Sequence, residues 1–212
     1  MRRPGIIIAI LVMAAIANAD TIDISRLASD TLDSWQQKSF RGETAYRIVT
    51  EAGTPVIEAR SSAAASGIYR KVKLDPTTYR YLRWRWKVAA PLSIQNEKNK
   101  PGDDYAARVY VIFPGFFFWQ SKAINYVWGS RLVKGEVFPS PYTGNVAVIA
   151  VETGSELAGK WVPEQRDILA DYRRAFGSEP RKIGAIAIMT DTDNTGQSAT
   201  AWYGDISLSD AP

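Results

Sequence analysis

The chain has 212 residues and contains neither cysteine nor histidine, which excludes disulfides, thiol nucleophiles, Ser-His-Asp triads and zinc or copper sites of the usual nitrogen and sulfur kind. Chemistry is left to Asp, Glu, Lys, Arg and Tyr, and a bound metal would have to be a hard, oxygen-seeking ion such as calcium or magnesium. The formal charge of +4 is dispersed, with no basic run in the sequence, so the concentrated cationic patch that a nucleic-acid backbone demands is missing.

Residues 1–19 read as a secretory signal peptide. Arg2 and Arg3 precede an apolar run from Ile6 to Ile16, and Ala17-Asn18-Ala19 forms a small-x-small cleavage site before Asp20. The apolar run falls short of the ~20 residues a spanning helix needs, so no transmembrane anchor is expected after cleavage. The mature protein is placed in the periplasm or outside the cell. Loss of Arg2 and Arg3 lowers the formal charge from +4 to +2. Residues 20–212 are expected to form one domain, and seven Trp with ten Tyr favour sheets.

Residues 20–39 are a polar lead-in carrying Trp35. Residues 44–52 and 54–59 read as strands joined at Gly53, and 67–74 as another after a stretch of small residues. Two central strands follow, over 79–88 and 103–113. In the first, Leu82, Trp84 and Trp86 share one face while Arg83, Arg85 and Lys87 share the other. In the second, Asp104, Arg108 and Tyr110 oppose Tyr105, Val109, Val111 and Phe113. If these strands are neighbours, Arg83 or Arg85 pairs with Asp103 or Asp104. The polar loop 89–102 would then form a rim of the site.

The run Gly115-Phe116-Phe117-Phe118-Trp119 is expected to plug into the sheet packing, because large apolar side chains are usually buried. Its other reading is a hydrophobic lip for a ligand or a membrane surface. Residues 122–130 form a strand with Tyr126 and Trp128 on one face, and 146–151 a central strand apolar on both faces. Residues 161–177 read as a helix, with Pro163 in its first turn and Gly177 at its stop. Its stripe of Glu164, Asp167 and Asp171 is read as solvated, the alternative being that Asp171 turns inward onto an arginine.

The last strands, 183–190 and 199–208, bracket a loop rich in Asp and Asn. Asp191-x-Asp193-x-Thr195-Gly196 begins like an EF-hand, but Trp202 stands where the bidentate Glu is required. The loop therefore reads as a hairpin closed by Asx turns, or as a ligand-facing or calcium loop. In the calcium case Asp191, Asp193 and Asp205 are the candidate ligands. Beyond that possible structural calcium, no cofactor is expected.

The blocks Trp84-Arg85-Trp86-Lys87-Val88, Gly102-Asp103-Asp104-Tyr105, Tyr126-Val127-Trp128, Pro141-Tyr142-Thr143, Asp171-Tyr172, Thr190-Asp191-Thr192-Asp193-Asn194-Thr195-Gly196 and Tyr203-Gly204-Asp205-Ile206 resemble the bacterial exported family DUF3047. That family has no established activity, so the resemblance implies an export-associated β-rich domain. The closing strand Tyr203-Gly204-Asp205-Ile206-Ser207-Leu208 is also similar to the last strand of β-sandwich sugar-binding modules, an analogy of fold rather than function.

The fold expected is all-β, a two-sheet antiparallel sandwich of jelly-roll, galactose-binding-like type with one helix near 162–176. Arg donors, Asp and Asn acceptors and aromatic faces suit a glycan or cell-envelope polysaccharide bound without catalysis. The candidate ligand-binding residues are Arg83, Arg85, Asp103, Asp104, Arg108, Tyr126, Trp128, Asp191, Asp193, Asn194 and Tyr203. A structural or assembly protein of the envelope is the second reading. A glycan-processing enzyme built on paired carboxylates is the third.

Overall fold

The computed structural model describes residues 20–27 and 31–212, so the signal-peptide reading of residues 1–19 lies outside the described residues. In chain order the strands are β1 (Thr21–Asp23), β2 (Gln36–Arg41), β3 (Ala45–Glu51), β4 (Thr54–Ser62), β5 (Ala65–Leu74), β6 (Tyr81–Val88), β7 (Ala107–Phe113), β8 (Lys122–Gly129), β9 (Val137–Ser140), β10 (Thr143–Thr153) and β11 (Val162–Asp167). Helix α1 (Ile168–Phe176) follows, then β12 (Ile183–Asp191) and β13 (Ser198–Ser209). No helix among the described residues is long and apolar enough to cross a membrane.

Strand alternation lets each sheet turn one apolar face inward. One sheet runs β11-β6-β13-β4-β3, with β1 paired to β13, and the other runs β2-β5-β12-β7-β8-β10-β9. All pairings are antiparallel except that between β8 and β10. The sheets meet through large aromatic rings. Trp84 and Trp86 from β6 lie 5.3 Å from Tyr126 and 5.8 Å from Trp128 of β8, centroid to centroid, all four buried. Truncating such a ring to alanine costs about 3–5 kcal/mol.

Three expectations are corrected here. β6 and β7 follow one another in the chain but belong to different sheets, because in a sandwich a connection can cross from one sheet to the other rather than make a hairpin. Residues 162–167 are an edge strand rather than the first turns of the helix. Pro163 is tolerated on an edge, where no ladder hydrogen bond needs its missing N–H. The helix itself starts at Ile168, where the Asp167 carboxylate accepts from Ala170 N at 3.1 Å, and ends at Gly177 with φ 63°. Third, the apolar run after Pro114 does not plug the core: Phe116, Phe117 and Trp119 are 82%, 46% and 59% exposed. The loop closes on itself instead, with Phe117 N donating to Gln120 Oε1 and Gly115 N to Ser121 Oγ, and the rings of Phe117 and Trp119 stack on each other at 4.7 Å. Asp171, by contrast, turns inward and is buried between Arg166 and the Tyr126 hydroxyl, 2.8 Å away.

Candidate functional site

The outer face of the seven-stranded sheet carries a cleft of about 1000 Å³. Period-two alternation builds it. On β7, Val109, Val111 and Phe113 enter the core, so Arg108, Tyr110 and Ile112 face the cleft. On β8, Ile124, Tyr126 and Trp128 point inward, and Asn125 faces out. Gly67 of β5 and Gly184, Ala185 and Ala187 of β12 supply a floor of small residues. With little side chain above that floor, space remains between walls formed by Phe40 and Tyr69 on one side and Tyr142, Thr143 and Val146 on the other.

One corner of the cleft is a charged lattice. The Arg108 guanidinium donates from Nε to Asp191 Oδ1 at 2.7 Å and from Nη2 to Asp191 Oδ2, making a bidentate pair. The same group donates from Nη2 to the Asp103 carbonyl at 2.6 Å, and from Nη1 to the Asp103 carboxylate at 3.4 Å and the Tyr110 hydroxyl at 3.3 Å. The side chains of Arg108, Asp103 and Asp191 are only 5%, 7% and 3% exposed. Burial raises Asp191 to about 7 against the pull of Arg108, and burial also raises Asp103. Arg108 is held well above its ordinary value: burial lowers it, but Asp191, Tyr110 and Asp103 outweigh that effect. Burial takes Tyr110 up to about 12.

The loop after β12 is tied to this corner by Asp104. Its Oδ1 accepts from Asn194 N at 3.3 Å and Asn194 Nδ2 at 3.1 Å, and its Oδ2 accepts from Thr195 N at 2.7 Å. The Tyr142 hydroxyl donates to Asn194 Oδ1 at 2.8 Å, which joins the far wall to the same loop. Asp104, Asp191 and Asp193 each offer an oxygen within 4.8 Å of the others. In this arrangement the Asp191 oxygens face Arg108 and those of Asp104 face N–H donors, so the positive partners of the cluster are supplied by the chain itself.

The sequence-predicted residues divide accordingly. Asp103, Asp104, Arg108, Asp191, Asp193 and Asn194 come together at this corner. Arg83 and Arg85 do not join them. Arg83 donates to Gln165, Ser209 and the Ala211 carbonyl, and Arg85 pairs with Asp205, all on the other sheet. The predicted pairing of Arg83 or Arg85 with Asp103 or Asp104 is therefore replaced by Arg108 with Asp103 and Asp191. Asp205 is likewise removed from the proposed calcium set, and Asp104 stands beside Asp191 and Asp193 in its place. Tyr126, Trp128 and Tyr203 are buried and cannot offer a ring face to a ligand. Tyr203 spans the sandwich from behind, its hydroxyl donating to the Met189 carbonyl at 2.7 Å and accepting from Arg108 N at 3.3 Å. Loop 89–102 is not a cleft wall but is pinned elsewhere by buried Glu97, which accepts from Ser130 N and Arg131 N.

Sequence reasoning missed Asn125, Tyr142 and the lysines of the cleft. Asn125 had a signal: it is the one polar residue between Ala123 and Trp128 apart from the Tyr126 hydroxyl. It is 1% exposed, and among the described residues its Oδ1 has no hydrogen-bond donor. An orphaned buried acceptor costs about 1–3 kcal/mol.

A family model described as "Protein of unknown function (DUF3047)" matches residues 33–207. No curated protein matches the chain. Among solved structures, the chain is similar to the family 11 carbohydrate-binding module of the cellulosomal cellulase Lic26A-Cel5E of Clostridium thermocellum, with TM-score 0.51 and 12% identity over 93% of this chain and 97% of that one. The same organism's family 11 module in complex with a β-1,3-1,4-mixed-linked tetrasaccharide gives TM-score 0.45 and 11% identity over 92% and 96%. The xyloglucanase domain of NopAA from Sinorhizobium fredii gives 0.46 and 9% over 92% and 100%. At these identities the likeness concerns the β-sandwich fold.

Proposed function

This chain belongs to the DUF3047 family, and we propose that it is an exported protein that binds a glycan chain in the cleft of the seven-stranded sheet without turning it over. The observation that carries this reading is the cleft itself, which has a floor of small residues and is lined by Tyr69, Tyr110 and Tyr142 beside Asn125. A concave surface of aromatic faces with a few polar groups suits a ligand rich in hydroxyls. Small floor residues leave room for a sugar ring, and tyrosines in the walls supply both apolar faces and hydroxyls. The carbohydrate-binding module named above shares the sandwich fold; that agreement is one of fold.

Two of the four corner carboxylates are tied up in a way that disfavours hydrolysis, and the other two, Asp103 and Asp193, accept at 3.4 Å through one oxygen each. Glycoside hydrolysis needs one carboxyl free to donate a proton and a second free to attack or to activate water. Asp191 is engaged at both oxygens by Arg108, and Asp104 at both by Asn194 and Thr195. Export is supported by the pattern of residues 1–19.

The test is titration of the purified mature protein against a panel of envelope and plant-type oligosaccharides, comparing wild type with Asn125→Leu and Tyr142→Ala. Binding that weakens in both variants, with unchanged circular dichroism, supports the cleft. Absence of binding to any glycan would replace this reading with that of an envelope assembly protein.

A further inference from the structure

Two groups stand out among the ten lysines of this chain. Lys87, Lys98 and Lys134 are paired with Glu51, Glu136 and Glu152, and none of these three lines the cleft. Lys38, Lys71, Lys73 and Lys182 all line it, all are exposed, and among the described residues none of them forms an ion pair. Of the seven lysines without an ion pair among the described residues, four therefore line the cleft, while Lys100 and Lys122 lie over the rings of Tyr142 and Phe176 and Lys160 stands apart from it.

Register places three of them together. Lys71 pairs with Ala185, Leu74 with Ile183, and Lys182 immediately precedes Ile183. Lys71 and Lys73 stand on the same side of β5 by alternation. Lys71, Lys73 and Lys182 therefore cluster where β12 begins, and the carboxylates of Asp103, Asp191 and Asp193 lie where it ends. Nine residue steps of extended chain lead from Lys182 to Asp191, roughly 30 Å at the usual strand rise. The Debye length at physiological salt is about 8 Å, so the acidic corner does not neutralise the lysine end. The acidic corner is in any case partly balanced by buried Arg108.

We propose that the cleft selects an anionic glycan, with carboxylate or phosphate groups on the sugar chain received by Lys71, Lys73 and Lys182 and hydroxyls received near Asn125. This rests on the glycan-binding reading given above. Flexible ammonium groups on long stems suit such a partner, since they can follow charges repeated along a polymer without demanding one fixed planar geometry. The cleft is thus polarised along its length, and a charged chain would enter it in one orientation relative to Arg108.

The experiment uses calorimetric titration of the mature protein with an oligogalacturonate, its methyl ester, and a phosphorylated oligomannoside, at low and at physiological salt. The variants are Lys71→Gln, Lys73→Gln and Lys182→Gln, singly and together, with Asn125→Leu as the control that touches the cleft but no charge. The expected result is tighter binding of a charged sugar than of the ester, weakening with salt. Each single exchange should lose up to about fivefold, as for one exposed charge pair, and the triple exchange on the order of a hundredfold if the sites act independently. Asn125→Leu should weaken charged and neutral sugars alike. Preference for the uronate or for the phosphorylated chain assigns the anion. Equal affinity for acid and ester, unchanged by the triple exchange, overturns the charge selection and leaves the glycan cleft standing. No binding of any of the three sugars by wild type overturns the charge selection, and the broader oligosaccharide panel then decides the glycan reading.

Discussion

Replacing Arg108 by methionine is the sharpest perturbation this structure offers. The guanidinium is the sole cation within reach of the carboxylates of Asp103 and Asp191 among the described residues, and it also serves the Asp103 carbonyl. All three side chains are more than nine-tenths buried. Methionine keeps the stem and removes the charge, so two carboxylates are left in a low-dielectric corner without a partner. Breaking a buried pair in this way costs about 3–5 kcal/mol. For a domain of this size, 3 kcal/mol corresponds to a fall in Tm of about 6–12 °C. The double variant Arg108→Met with Asp191→Asn should recover part of the loss, and the coupling between the two positions should be at least about 1 kcal/mol. Acidification gives a second reading. Burial places Asp191 at about 7, above its unfolded value near 3.8, so its contribution is fully present below the unfolded value and is lost as pH rises through about 7. A protonated Asp191 does not need a cation, so the deficit of Arg108→Met should shrink as pH falls through that window. Urea denaturation across pH measures both effects. A loss under about 1 kcal/mol, the size expected of a wet surface pair, or a deficit indifferent to pH, would refute the account of this corner.

Gly102→Ala should destabilise by about 1–3 kcal/mol or more, because a Cβ there would lie 1.9 Å from the Asn96 carbonyl oxygen; a normal melt would show that loop 89–102 yields easily. Glu164 is raised to about 7, first by burial and then by Glu152, with Lys134 opposing. Its stabilising contribution is present below 4.5 and lost as pH rises through about 7, so Glu164→Gln should gain stability over wild type above that range and not below it, as read from thermal melts. N-terminal sequencing of the protein recovered from its natural host should begin at Asp20; a chain still starting at Met1 would remove export from the functional reading.

What the sequence disclosed was faces, and what it withheld was partners. Alternation in β6 correctly put Trp84 and Trp86 opposite Arg83 and Arg85, because side-chain direction follows from the strand period alone. Pairing is a property of the whole sheet, however, and nothing in residues 79–113 records that β6 lies beside β11 and β13 while β7 lies beside β8 and β12. The arginine beside Asp103 is Arg108, five residues on, and not one of β6; Asp103 and Asp104 lie in the approach to β7, which starts at Ala107 and not at 103 as alternation suggests. Tyr126 and Trp128 illustrate a related gap. They share a face, as alternation said, but only the second sheet shows that this face is the core. Residue type alone predicts burial for the run from Phe116 to Trp119, while its exposure is decided by where the turn after β7 points.

The charged corner has a further consequence for the cleft. A buried ion network is a poor source of stability, since well-packed apolar residues of similar volume often match or exceed it, yet three such side chains are held here at the end of the proposed binding surface. What the network supplies is fixed geometry. Arg108 and Asn194 Nδ2 both donate to the Asp103 carbonyl, Asp104 fixes Asn194 and Thr195, and Asn194 receives the Tyr142 hydroxyl, so one chain of hydrogen bonds runs from Arg108 to the cleft wall. Stability and binding should therefore separate at this point. Joint replacement of Arg108, Asp103 and Asp191 by Met, Leu and Leu removes the buried cation together with both of its carboxylates and leaves Asp104 on its N–H donors, which should leave unfolding free energy within about 1–2 kcal/mol of wild type or above it. The same variant should lose glycan affinity, because the wall carrying Tyr142 and Asn194 no longer has a polar floor to rest on. Retained affinity in a stable triple variant would show that the lattice is only a structural feature and that the ligand is held entirely by Asn125, the tyrosines and the lysine end.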